Sequence, residues 1–150
     1  MPSVAAPLPA AKRQSEGEVL DDSPPLWHTL SLTPPMVVVS LDERSHLLAI
    51  IRRTGRFGLN VLGMHQAELA AAFARSGPDK FEGISWSPSE ELPRLPTSVA
   101  WIAAEVDGYI TAGDHTILLA HAVTAEQSEA SARPLTYHQR SFGTHTPLTS

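Results

Sequence analysis

The chain has 150 residues, a formal charge of −5 and no cysteine, which is enough length to bury one core. Non-specific nucleic-acid binding needs clustered cations that release counterions, and a net acidic chain does not supply them. Without thiols there is no disulfide, thiolate metal site, iron–sulfur cluster or catalytic cysteine, which suits a reducing compartment.

Residues 1–25 are dominated by Ala, Pro, Ser and Glu, with Pro7 and Pro9 interrupting what would otherwise read as a strand. Such a segment has little apolar surface to offset the entropy of ordering, and a flexible tail or a weak edge hairpin turning near Gly17 is expected. There is no charged-then-apolar leader and no apolar run long enough to cross a bilayer. A cytoplasmic chain with no membrane partner is therefore expected. From residue 26 to 143 the pattern is that of one domain, with 144–150 as a frayed tail.

Trp27–Leu32 leads into the first firm strand, Met36–Leu41, a β-branched apolar run entered through Pro34 and Pro35. Ser45 is placed to cap a helix whose apolar residues are Leu47, Leu48, Ile50 and Ile51. Arg52 and Arg53 fall in its last turn, and Gly55 supplies the left-handed stop. Phe57–Leu62 reads as a second strand. A second helix runs from Gly63 or Met64 to Arg75, with Leu69 and Phe73 one turn apart, and ends at Ser76, Gly77 and Pro78. A proline-rich loop through Pro88, Pro93 and Pro96 follows. Val99–Val106 is a strand, Tyr109–Gly113 a connection, and His115–Thr124 a strand that puts Thr116, Leu118 and Ala120 on one face. Gln127–Ala132 is a polar excursion, and Pro134–Phe142 is a last strand or a docked arm. Four or five strands with helices inserted in one half predict a mainly β, α+β fold: a β-barrel with helical crossings, not a doubly wound sheet.

Several of these pieces, in this order, resemble the short-chain flavin reductase family. They are Ser31–Leu32–Thr33–Pro34–Pro35–Met36–Val37, Phe57–Gly58–Leu59–Asn60–Val61–Leu62, Phe73–Ala74, Lys80–Phe81–Glu82–Gly83, Ala112–Gly113–Asp114–His115, and Pro134–Leu135 with Tyr137, Arg140 and Phe142. The resemblance implies an FMN-binding split barrel, a homodimer with a flavin cleft partly at the subunit interface, and hydride transfer from NAD(P)H to FMN or FAD. It also implies a partner, a flavin-dependent monooxygenase that takes the reduced flavin. One departure stands out. Where family members carry a Thr-Ala-Asn-Ser-Phe-like segment that helps to hold the flavin, this chain has Ser23–Pro24–Pro25–Leu26–Trp27. Two amide donors are lost there, so flavin is held weakly or the chain has been diverted to another task.

Candidate site residues follow from chemistry and from the resemblance. Ser31 belongs to the S-L-x-P-P piece and is a flavin contact by resemblance. Ser40, Asp42, Arg44 and Ser45 sit where a strand runs into a helix, where amides, hydroxyls and one cation suit a phosphate. The plainer alternative is N-capping by Ser45 with a solvated Asp42–Arg44 turn. Asn60 and Val61 are candidates for the edge of the flavin ring, or Asn60 satisfies a bulge or loop. Lys80 and Phe81 offer a cation and an aromatic wall, or a surface Lys beside a core Phe. Gly113 and Asp114 form a tight turn that exposes His115, with Asp114 orienting the ring. In a reductase His115 would lie near the flavin and the incoming nicotinamide, and in a diverted protein it would serve as general acid or base. The plainer alternative is an exposed turn histidine. His121 reads as a structural neighbour. Tyr137 and Arg140 are candidates to clamp the ligand or a partner subunit, while His138 and His145 read as surface residues. No histidine pair has metal-ligand spacing, so no metal is expected.

Two other functions fit the altered segment. One is a flavin-free relative that binds a planar aromatic metabolite and dehydrates or cyclises it, with His115 moving the proton. The other is a non-catalytic partner subunit of an oxygenase or reductase. All three readings require a ring-sized slot beside Asn60 and His115.

Overall fold

A computed structural model describes residues 2–5, 26–73, 87–89, 91–128 and 133–146. The chain runs β1 (Pro2–Ala5), β2 (Leu26–Leu32), β3 (Pro35–Asp42), α1 (His46–Thr54), β4 (Arg56–Val61), a 3-10 turn (Met64–Gln66) and α2 (Ala67–Phe73). It continues through β5 (Ser87–Ser89), β6 (Leu92–Arg94), β7 (Ala100–Ala112), β8 (His115–Gln127), β9 (Leu135–His138) and β10 (Ser141–Thr144). Six strands form one antiparallel sheet in the order β1-β4-β7-β8-β3-β2. Its outer strands, β1 and β2, are not joined to each other, which makes the barrel split, as the sequence predicts.

Alternation decides which face is the core. Val37, Val39 and Leu41 of β3 and Thr116, Leu118 and Ala120 of β8 turn inward, and β4 adds Phe57 and Leu59. Helix α1 lies on that face through Leu48 and Ile51, both fully buried and one turn apart. The Ser45 hydroxyl accepts from the Leu48 amide at 3.4 Å, and Gly55, at φ +69°, donates its amide to the Ile51 carbonyl at 2.7 Å. The Gly55 carbonyl in turn accepts from the Val106 amide (2.8 Å), so the helix stop is anchored to the central sheet.

A second cluster joins Leu62, Ala70, Leu95 and Leu135, with Leu69 and Phe73 of α2 packed against it. The expected second helix begins as a 3-10 turn, because the Gln66 side chain takes the Gly63 amide (2.8 Å) and reaches Thr97 (2.6 Å). Its predicted stop at residues 76–78 lies outside the described residues, as do residues 6–25, 79–84 and 129–132.

Three segments differ from their reading in the sequence. The predicted connection Tyr109–Gly113 belongs to β7 as far as Ala112, and only Gly113 and Asp114 turn. Register shifts at Ala103/Ala104 and Val106/Gly108 break the period-2 pattern, which hides the strand's outer half. The proline-rich loop contains the β5–β6 hairpin, in which Pro88 faces Pro93. The last strand is a hairpin, β9–β10, turned by Gln139 and Arg140 at φ +49° and +62°.

Asn60 is buried on β4 and bonds across to the segment before β7. Its Oδ1 accepts from the Leu95 amide (2.8 Å) and the Ser98 hydroxyl (3.4 Å), and its Nδ2 donates to the Pro93 carbonyl (3.3 Å). Asn60→Ala strands the Leu95 amide, and unfolding free energy should fall by about 2–3 kcal/mol, read as a lower urea midpoint at unchanged m. Gly55→Ala should cost about 1 kcal/mol, because φ there is left-handed.

Candidate functional site

The end of β3 and the start of β8 lie side by side, with Asp42 opposite His115 across the ladder. Gly113, at φ +65°, is the first of the two residues joining β7 to β8, the pattern of a type II′ hairpin. That turn delivers Asp114 beside His115, and the Glu43 amide donates to the Asp114 carbonyl at 2.9 Å. Asp42, Arg44, Ser45, Gly113, Asp114 and His115 thus gather next to the start of α1. The sequence assigned them to one function, and the fold brings them together.

Electrostatics at this end are tightly paired. Asp42 is 5% exposed, and its carboxylate accepts from the Arg44 amide (2.7 Å), Nε (3.2 Å) and Nη2 (3.2 Å). The Arg44 guanidinium and amide hold its pKa below the usual carboxylate range. Asp114 is exposed, and its contact with the His115 ring lowers its pKa as well. His115 Nδ1 lies 2.8 Å from Asp114 Oδ1. An ionised carboxylate only accepts, so Nδ1 carries the hydrogen and Nε2 is the ring atom able to take up a proton. Asp42, Asp114 and His115 offer ligand atoms within 4.8 Å of one another, a spacing that would suit a divalent ion. Arg44 already supplies a cation to Asp42, however, so the group reads first as a braced acid–base cluster.

The other predicted residues lie elsewhere. Ser40 is half-buried one step down β3, paired with Ile117. Ser31 pairs with Met36, about 20 Å along β3 from Asp42 at 3.3 Å per residue. Asn60 sits level with Trp101 and Glu126, about 35 Å along β8 from His115. Val61 follows it, and its backbone carbonyl accepts from the Val99 amide (2.7 Å). The β9–β10 hairpin docks at this far end, where the Leu135 amide donates to the Leu62 carbonyl and the Met64 amide to the Arg133 carbonyl, both at 2.8 Å. Tyr137 there packs against Phe142 (5.1 Å between rings), and Arg140 occupies the exposed turn.

A groove of about 200 Å³ runs along Met64, Ala67, Leu135 and Phe142. This groove borders neither Asn60 nor His115. Lys80 and Phe81 lie outside the described residues. His121 is at the middle of β8, with its ring nitrogens facing Asp107 (3.0 Å) and Glu105 (3.5 Å).

The sequence reading passed over Glu43 and gave Thr116 and Arg52 no role at the site. Thr116 shows no exposed surface, and its hydroxyl lies between the Glu43 carboxylate and Arg52. A polar residue on the inward face of an apolar strand was the available signal, since such a group must find partners.

The split sheet with a helix across its core is the fold of the solved flavin reductases. Residues 27–146 match the flavin reductase like domain, and the chain belongs to that family. It is 36% identical over 115 residues to the reductase component of a 4-nitrophenol 4-monooxygenase/4-nitrocatechol 2-monooxygenase from Rhodococcus opacus, covering 77% of this chain and 61% of that one. It is 34% identical over 136 residues to the NADH-dependent flavin reductase StyB of Pseudomonas fluorescens, covering 89% and 79%. The styrene monooxygenase flavin reductase of Pseudomonas putida S12 superposes with a TM-score of 0.78 at 25% identity, over 99% of this chain and 91% of that one. The chain spans 61–66% of the length of the Rhodococcus relatives it matches.

Asp42 also gives a pH signature. A carboxyl whose folded pKa lies below its ordinary 3.8 adds stability above that value and loses it as pH falls through the folded value. Asp42→Asn should be less stable at neutral pH and show a flatter acid limb below about pH 4, measured as urea midpoints across pH.

Proposed function

We propose that this chain is an NAD(P)H-dependent flavin reductase that reduces FMN or FAD and passes the reduced flavin to a separate monooxygenase. The observation that carries the reading is the convergence of Asp42, Arg44, Asp114 and His115 beside the start of α1, in a chain of the flavin reductase family. Three of the curated relatives are named as reductases acting with a monooxygenase or on flavin.

The residues at this end fit a flavin phosphate. The first-turn amides of α1, the Ser45 hydroxyl and the Arg44 guanidinium are the donors such a group needs, and Arg44 also balances Asp42. A bound flavin supplies the ring that accepts the hydride. The chain supplies position and charge. Asp114 fixes the tautomer of His115, which then hydrogen-bonds the ligand and takes up or releases a proton at Nε2. A Cβ placed on Gly113 would meet nothing within 4 Å, so a flat ring can approach the turn closely.

The reading includes a homodimer, supported by exposed apolar residues on the outer strand β2 and on β7 and β8. Leu30, Leu32 (88% exposed), Ile110 and Val123 all face away from the core. A cytoplasmic setting goes with the nicotinamide co-substrate and the absence of cysteine.

NADH and NADPH oxidation with added FMN or FAD tests the reading directly. Activity with at least one pair is expected, and none with any pair overturns it. His115→Ala should lower kcat/KM by about a hundredfold while the fold is retained.

A further inference from the structure

His115 carries the proposed chemistry, and its neighbours on both sides are tied to one residue. The Glu43 amide donates to the carbonyl of Asp114 at 2.9 Å, and the Glu43 carboxylate accepts from the hydroxyl of Thr116. Glu43 therefore grips β8 immediately before and immediately after His115. Arg52, in the last turn of α1, closes the arrangement. Its Nη2 lies 3.1 Å from Thr116 Oγ1 and 3.3–3.4 Å from the Glu43 carboxylate oxygens.

These contacts differ in what water can do to them. Glu43 and Arg52 are 32% and 46% exposed, so their ion pair is screened and adds little to stability. Thr116 is fully buried, and its hydroxyl has no water to turn to if Glu43 is removed. The arrangement is therefore better suited to geometry than to stability. It joins the residue after β3, the last turn of α1 and the start of β8. His115 sits at the first position of its strand, beside a two-residue turn, paired with Ala112 on one side and Asp42 on the other.

We infer that Glu43, Thr116 and Arg52 are positioning residues that hold the His115 imidazole at the reacting centre, acting through the backbone on either side of it. The inference rests on the reductase reading for its kinetic part and on geometry alone for the rest. Displacement of a reacting group by about 1 Å can cost a hundredfold in rate, so partial loosening should cost about tenfold.

The test uses Thr116→Val, which keeps the shape and removes the hydroxyl, Thr116→Ser, which keeps the hydroxyl, and Glu43→Ala, which removes the acceptor from the protein surface. Thr116→Val and Glu43→Ala should each lower kcat for NADH-driven flavin reduction about tenfold with flavin KM unchanged, and Thr116→Ser should stay within about twofold of the parent. In a His115→Ala background, Thr116→Val should change kcat/KM by less than about twofold, because the residue it positions is gone. A second readout needs no flavin. The His115 ring nitrogen resonances, assigned by their loss in His115→Ala, should move in Thr116→Val and Glu43→Ala and stay in place in Thr116→Ser.

Equal losses in both backgrounds, or ring resonances that do not move, overturn the inference and leave the reductase reading standing. Full activity in His115→Ala overturns the role given to that ring in the reductase reading. The ring resonances then decide the positioning claim alone.

Discussion

Helix α1 can lie on the barrel only while β3 and β8 keep their register. A slip of one residue in β3 would turn Val37, Val39 and Leu41 outward while Leu118 and Ala120 stay inward, and Leu48 and Ile51 would lose part of the surface they cover. Each buried aliphatic side chain contributes about 1.5–3 kcal/mol, so the penalty for slipping is comparable with the whole stability of a domain this size. The same register puts Asp42 opposite His115. The site inherits its overall placement from the core, and the Glu43–Thr116–Arg52 contacts add to it locally.

Buried polar groups then finish what the apolar face begins. Asn60 fixes the segment 93–98 to β4, Gln66 fixes the start of α2 to Thr97, and Thr116 fixes β8 to Glu43, the residue after β3. In each case a group with no access to water bonds to a partner distant in sequence, which favours one arrangement of loops over its neighbours. Two of these three pins serve the end of the sheet where the C-terminal hairpin docks, and the third serves the end that holds His115.

The β3–α1–β4 unit was legible because each boundary has its own chemistry: Pro34 and Pro35 at the entry to β3, Ser45 at the cap, Gly55 at φ +69° and an apolar strand on either side. The Gly113–Asp114–His115 turn was legible for the same reason. The outer half of β7 was not, because two bulges reset its alternation and its residues face solvent. Asn60 shows a different limit. An amide in an apolar strand announced that it must be satisfied, but nothing local said that Pro93, Leu95 and Ser98 would do it. Placing Asn60 and His115 in one slot relied on the family resemblance. Pairing register, which sets them at opposite ends of β8, is a property of strand partners that no single segment states.

The His115 end divides its labour between buried and exposed halves. Asp42 and Thr116 are sealed from water and cannot exchange their partners without cost, so they decide where the strand ends lie. Their cationic partners are largely solvated, Arg44 at 76% exposed, and those ion pairs are worth little energy by themselves. A solvated guanidinium can nonetheless share its charge with an incoming anion while its carboxylate partner stays fixed in the fold. That combination suits a site which must bind a phosphate-bearing ligand, release it and find the imidazole in the same place for the next one. Rigid acceptors underneath and adaptable cations above meet both requirements, and neither half could do so alone.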